Sequence, residues 1–579
     1  MKIENLITDH LDLWTAAVRP KSSAGRGSNS KLELTGIKKL RELILELAVR
    51  GKLVPQDPCD EPASVLLERI AAEKARLVKE KKIKKPKALP EIGEEEKLFE
   101  LPDGWEWCRL SDIAFPQAGF AFKSNGFNEH GEGIPLIRIR DVGQVFSGTY
   151  YNGEYKPEFV VMRGEYLISM DGNFRVAPWS GSEALLNQRV TRLIFFFEKT
   201  AKRFIAESLQ LRLISLQGVK AYTTVDHLSG GQIAESVIAI PPLAEQHRIV
   251  AKVDDLMALC DQLELRSESQ LAAHQMLVET LIATLTDSCD ADDLAQNWAR
   301  LSTHFDTLFT TEASIDALKQ SILQLAVMGK LVPQDPSDEP ASVLLERIAA
   351  KKEQLVKEKK IKKEKLLPAI TENEKLFTLP QGWEWCHFGA LFKSFSNGLY
   401  KPAKYYTDEG VISLRMYNIQ QGIIDFSDAK RVEVEPDELA QFLLEPDDLL
   451  INRVNSKELV GKTAIVPVTE EPLVYESMNM RAKPFTDHVS ARYLNLFMMT
   501  GIVKDAISSF AKEAVGQASI NQGQVTSIKT PLPPREEQYR IVAKVDELMA
   551  LCDQLTSRLQ TSQQTQLALA ESLVEGALA

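Results

Sequence analysis

Few stretches of this 579-residue sequence place reactive side chains at the spacings that chemistry requires. Gly461-Lys462-Thr463 ends like the phosphate-binding loop GxxxxGK(S/T), but Ser456 stands where the first glycine must let the chain wrap a phosphate. Ala464 to Pro467 also reads as a strand, not as the helix whose N-terminus would complete such a site. The acid pairs Asp437-Glu438 and Asp447-Asp448 could hold a hard cation for nuclease chemistry, yet no ExK element accompanies them, and the proline before each marks a turn. Methylating a base requires a glycine-rich loop for S-adenosylmethionine and an (N/D)PP(Y/F) motif. The two proline pairs, Pro241-Pro242 and Pro533-Pro534, follow Ile240 and Leu532 instead. Six cysteines (Cys59, Cys108, Cys260, Cys289, Cys386, Cys552) lie far apart without a CxxC pair. That excludes the common zinc spacings and suits reduced thiols used as small hydrophobes. The expectation is a chain without catalysis, metal or cofactor of its own.

What the sequence does concentrate is Arg, Asn and Gln, the side chains that pair bidentately with guanine and adenine edges in the major groove. Arg138 and Arg140 alternate with apolar residues in Ile137 to Arg140, which predicts a strand with both arginines on its open face. Lys123, then Asn173 and Arg175, then Gln188 and Arg189 are further candidates in the same stretch. A second stretch offers Arg415, Asn418 and Gln420, then Arg453, Asn455 and Lys457, then Gln517 and Asn521. Any one of these also reads as an exposed polar residue of a strand or loop; reading DNA needs several to converge.

The frame that must position them is written twice. Gly51 to Pro58 (GKLVPQDP) returns as Gly329 to Pro336, and the match continues through DEPASVLLERIAA (60–72 and 338–350) to GWEWC (104–108 and 382–386). A second block, RIVAKVD (248–254), returns at 540–546. Between these blocks lie two inserts, about 109–240 and 389–532, that barely resemble one another. Ile249, Val253, Leu256, Cys260 and Leu263 form a heptad seam, as do Ile541, Val545, Leu548, Cys552 and Leu555. The run from Glu245 to Leu285 holds no proline or glycine and predicts a helix of roughly 60 Å. The helices expected from Ala63 to Lys82, and from Ala341 in the copy, are the candidate partners for these seams. The basic run Lys79 to Lys85 and its copy from Lys357 read equally as phosphate contacts or as solvated helix ends.

The predicted fold class is α/β: two α/β domains separated by long antiparallel coiled-coil helices, with a pseudo-two-fold internal repeat. In order, these are an N-terminal segment and flexible linker (1–35), a helical arm (36–108), a first α/β domain (109–242), a central helical spacer with the second arm (243–388), a second α/β domain (389–534) and a C-terminal helical arm (535–579). The net charge of −12 argues at first against nucleic acid. The inserts, however, are near neutral: 14 Lys and Arg against 13 Asp and Glu in 109–240, and 15 against 18 in 389–532. Such a reader would need a partner to supply more positive surface. No window nears the roughly 20 apolar residues of a membrane span, and the start lacks a signal-peptide core, so a cytoplasmic protein is expected.

The layout closely resembles the specificity (S) subunit of type I restriction-modification systems over nearly the whole chain. The resemblance is carried by the lead-ins LPDGWEW (101–107) and LPQGWEW (379–385) and by the exits IPPLAEQHRIV (240–250) and LPPREEQYRIV (532–542). LVGKTA (459–464) and GQASINQ (516–522) add to it. It implies two target-recognition domains, each reading half of a split, asymmetric site in double-stranded DNA, with the helices as a ruler. It further implies two modification (M) subunits that bring S-adenosylmethionine, and two restriction (R) subunits that use ATP and Mg. The alternative is a coiled-coil scaffold whose inserts bind proteins.

Overall fold

The computed structural model describes residues 3–20, 32–80, 83, 89–215, 228–363, 367–514 and 516–578. Residues 21–31 of the segment expected to hold the flexible linker (1–35) and most of the basic run Lys79 to Lys85 lie outside them. In the copy of that run the helix ends at Lys357, and Lys357 and Lys360 pair with Glu353 and Glu358. Both lysines are exposed there. The chain divides into two units, Met1–Ser269 with Gln563–Ala579, and Gln270–Ser562.

Each unit is organised around the start of a long helix. Leu243–Thr286 and Arg535–Leu578 each run for 44 residues, roughly 66 Å, directly after a proline pair that cannot join a helix interior. The heptad positions are buried in both, with Ile249, Val253 and Cys260 at 0% exposure and Ile541 and Cys552 at 0% and 1%. All six cysteines are free, and burial pushes the Cys260 and Cys552 thiols up to about 11.

The seam partner differs from the expected one. In the first unit Thr35–Val49 is the helix tied to the seam: Arg41 bonds Asp261 and Glu264, both at 2.7 Å. Its other flank meets the last turns of the C-terminal helix, where Lys39 pairs with Glu571 and Lys52 Nζ donates to the Leu578 carbonyl. In the second unit Glu312–Val327 holds the same position, with Lys319 on Asp553 and Lys330 Nζ on the Thr286 carbonyl. Ala63–Lys79 and Ala341–Lys357 bury only three residues each and lean elsewhere: Lys74 Nζ donates to Ser111 O and Lys352 Nζ to Gly389 O, at the first turn of each insert. Thr35–Val49 buries nine residues and Ala63–Lys79 three, so the larger apolar face is the one on Thr35–Val49.

Each insert folds as a module built on two main sheets, entered and left through one antiparallel ribbon; the second insert adds a hairpin of Ile419–Gln420 with Ile423–Ile424 and a small sheet of Val454–Asn455, Gln517–Ser519 and Lys512–Ala514. Glu106–Arg109 pairs with Val237–Ile240, and Glu384–His387 with Lys529–Leu532. In the first module an antiparallel sheet runs Val176–Pro178, Tyr166–Ser169, Val190–Phe195, Ala114–Ala118. Its second sheet pairs Ile134–Ile137 with Ala184–Leu186 in parallel. The second module has the antiparallel order Phe392–Asn397, Asn479–Pro484, Leu449–Asn452, Thr463–Ile465. There Val411–Leu414 runs parallel to Leu473–Tyr475. Among the described residues no helix is long and apolar enough to cross a membrane.

The repeated letters of the sequence meet at one place in each unit. Glu245, 1% exposed, accepts from Trp105 Nε1 at 3.0 Å and from Gln56 Nε2 at 3.1 Å. Glu537, also 1% exposed, accepts from Trp383 Nε1 at 2.9 Å and Gln334 Nε2 at 3.0 Å. The neighbouring Gln246 accepts from Ala201 N and donates to Pro241 O, and Gln538 does the same with Ser490 N and Pro533 O. One turn on, Arg248 grips Asp60 at 2.6 Å and Arg540 grips Asp338 at 2.5 Å. Gly51 (φ +68°) and Gly329 (φ +71°) turn the chain into this knot, where a Cβ would stand 2.5 and 2.4 Å from a proline Cγ.

Trp105→Phe removes one donor from a buried carboxylate and is expected to cost about 1–3 kcal/mol, read as a lower urea midpoint. Burial pushes the Glu245 and Glu537 carboxyls above the usual range, against the pull of their two donors. A raised folded value means the native state holds these protons to higher pH. Their contribution to stability is therefore full below the unfolded value of about 4.3 and lost as pH rises through the folded value. A Glu245→Gln, Glu537→Gln double variant should lack that part of the pH slope in urea unfolding.

Candidate nucleic-acid interface

In the first module the parallel strands Ile134–Ile137 and Ala184–Leu186 end side by side, with Ile137 opposite Leu186. The loops that leave them carry Arg138 to Arg140 and Asn187 to Arg189. Phe120 N donates to Leu186 O and Gln188 N to Phe120 O, which lays the loop ending in Lys123 alongside. Met170 N donates to Arg189 O, which adds the hairpin turn of Asn173 and Arg175. The seven candidates thus lie on loops that touch one another. Lys123, Arg138, Arg140, Asn173, Gln188 and Arg189 are exposed, and Arg175 is half-buried.

Their charges are not equally available. Arg189 pairs with Asp171 at 3.0 Å, and Arg140 bonds Ser147 Oγ and Thr149 Oγ1. Arg138, Arg175 and Lys123 have no ion pair among the described residues. The expected strand through Arg140 is corrected here: it stops at Ile137, and Ile139–Asp141 is a 3-10 turn. Asp141, 1% exposed, causes the break by accepting from Arg138 N at 2.7 Å and from Ser147 N at 2.8 Å.

The second module repeats this scaffold bond for bond. Leu414 lies opposite Tyr475, Leu399 N donates to Tyr475 O, Ser477 N to Leu399 O, and Arg453 N to Met478 O. Arg415 therefore matches Arg138, and Met478 matches Arg189. Arg415 sits 5.4 and 5.6 Å from the Tyr406 and Tyr417 ring centres and gives Nε to Glu476 at 2.9 Å. Gln420 is exposed beside Lys462, and Lys457 pairs with Glu513. Val454–Asn455 pairs with Gln517–Ser519, which brings Arg453, Asn455 and the exposed Gln517 together.

Three candidates in this module have structural duties. Asn418 is 1% exposed, accepts from Arg415 N at 2.8 Å and donates to Asp425 O at 2.8 Å. It occupies the place of Asp141 and cannot meet a base; its assignment as a DNA contact is corrected. Asn521 spends its Oδ1 capping Gln522–Thr526, and Asn455 donates to Asn452 Oδ1.

Sequence reasoning did not place Lys462 among the DNA-contact candidates, weighing it as part of a phosphate loop and within the family-like string LVGKTA (459–464). No such loop forms: Thr463–Ile465 is a strand, as expected. Lys462 O instead accepts from Asn452 N at 2.8 Å, the bond that Arg175 O makes with Ser169 N at 3.0 Å. Burial lowers its ammonium from the usual lysine value. Glu476, which holds Arg415, was also missed. Neither can be found by comparing the two inserts as strings, because they match in hydrogen bonds and not in letters.

Each half-chain thus carries an antiparallel sheet and a sheet with a parallel strand pair whose loops hold a fringe of Arg, Lys, Asn and Gln, and comparison with known proteins identifies the family. Residues 102–273 and 380–562 match the family described as the type I restriction modification DNA specificity domain. The chain is 43% identical to the Type I restriction enzyme EcoAI specificity subunit of Escherichia coli, and 42% identical to the EcoEI specificity subunit of the same organism, in each case over 100% of both chains. A chain from a solved structure of a type I R-M system overlays 83% of this chain and 99% of its own at 18% identity, with a TM-score of 0.46. The protein belongs to the family of type I restriction-modification specificity subunits.

Asn418→Ala leaves the Arg415 N–H and the Asp425 carbonyl without their partner and is expected to cost about 1–3 kcal/mol in thermal unfolding. Gln517→Ala, at an exposed side chain, should stay within about 0.5 kcal/mol of the unaltered chain.

Proposed function

We propose that this chain is the non-catalytic, cytoplasmic DNA-reading subunit of its type I complex. Each module grips one half of a split, asymmetric site in double-stranded DNA. The long helices, paired as an antiparallel coiled coil about a pseudo-two-fold axis, fix the unspecified spacer between the halves. Two modification subunits dock on the helices and bring S-adenosylmethionine to methylate adenine; two restriction subunits add ATP- and Mg-dependent translocation and cleavage.

The observation that carries this reading is one scaffold with two sets of tip side chains. Met170, Gln188 and Arg189 of the first module occupy the hydrogen-bonded places of Arg453, Ser477 and Met478 in the second. Readers that share a backbone but present different donors suit half-sites of different sequence. Half-sites addressed from one face of the duplex lie about 34–36 Å apart, and a helix of roughly 66 Å is long enough to span that distance. The near-neutral modules fit a subunit whose partners supply part of the phosphate attraction.

Exchanging residues 109–240 for the insert of another specificity subunit is expected to change one half of the methylated sequence and to leave the other half and the spacer intact, read by methylation-site sequencing of cellular DNA. A changed protein partner with an unchanged methylated sequence would mark the inserts as protein-binding lobes on a scaffold and overturn the proposal.

A further inference from the structure

Two modules that read different bases still meet the same phosphodiester backbone, so groups common to both serve what is common to both half-sites. Matching the modules by their backbone hydrogen bonds leaves two cations in register. Arg138 and Arg415 each follow the last residue of the parallel strand. Arg175 and Lys462 each close the adjoining hairpin through the main-chain bond to Ser169 or Asn452. We propose that these four side chains are the phosphate contacts of the two modules, one pair in each, and that discrimination between bases rests on the tip positions where the modules differ. The inference rests on the DNA-reading function proposed above.

The chemistry of the exchange supports it. Lysine replaces arginine at one matched position, which keeps the charge but gives up the planar fork. A phosphate tolerates that exchange, since lysine binds it as a point charge; the two acceptors of a guanine edge favour the fork. Arg189, by contrast, faces Met478 at the matched place, so its charge serves one module alone. Three of the four shared cations are presented for contact, while Lys462 is half-buried beside the exposed Gln420. Arg415 is stacked beside Tyr406 and Tyr417 with its Nε fixed on Glu476, and its side chain is still 37% exposed. Arg138 and Arg175 carry no ion pair among the described residues, so a phosphate need not displace a carboxylate from either.

The test uses the full chain assembled with its modification subunits, titrated at several salt concentrations against the methylated sequence and against a scrambled duplex. Arg138→Ala, Arg175→Ala, Arg415→Ala and Lys462→Ala should each weaken both duplexes by the same factor. Each should lower the slope of log affinity on log salt by about 0.9 and leave the methylated sequence unchanged. Arg175→Lys and Lys462→Arg should restore the slope, which separates lost charge from lost folding. A substitution that alters the methylated sequence, or an alanine variant with an unchanged slope, overturns the assignment. If the unaltered complex prefers neither duplex, the DNA-reading function itself fails, and that failure is visible before any substitution is made.

Discussion

A carboxylate taken out of water is costly unless every lone pair that needs a donor finds one. Glu245 and Glu537 sit at the first turn of the two long helices under that constraint, each met by an indole N–H and a glutamine amide. In the first unit those donors come from 140 and 189 residues away in sequence. Satisfying the carboxylate therefore joins the arm loop, the lead-in to the module and the long helix at one point. The adjacent Gln246 and Gln538 then bond the module's own helical region, so the module is fixed to the frame through polar contacts of defined geometry as well as apolar packing.

From that anchor the geometry passes outward to the loops. A parallel strand pair ends with both chains leaving on the same side, and here it does so beside a hairpin of the antiparallel sheet. A buried Asp141 or Asn418 pins the first loop by its backbone and leaves the outward side chains free to vary. Backbone held constant and tips allowed to differ is the condition under which one architecture can serve more than one base sequence.

Much of this was legible in the letters. The repeat, the two long proline-capped helices and their seams follow from periodicity and from self-comparison. The seam partner did not follow, because Ala63–Lys79 and Thr35–Val49 both look amphipathic and only packing decides between them. Asn418 looked like a base reader because Asn beside Arg carries the right donors, while burial, which disqualifies it, is a tertiary property. The strand through Arg140 failed for a local reason: a carboxylate three residues on captured the backbone N–H that a further ladder bond would have needed. Lys462 stayed hidden because its counterpart is an arginine in a stretch with no alignable neighbours.

The composition of the first unit has a bearing on biosynthesis. Thr35–Val49 is translated early, yet one of its flanks is covered by Gln563 to Leu578, with Leu567 and Ala570 buried and Lys39 and Lys52 bonded there. More than 500 residues must leave the ribosome before that flank is closed. The second unit is complete once residue 562 has emerged. The half that begins first is finished last, and during that interval its apolar arm depends on whatever in the cell shields nascent chains.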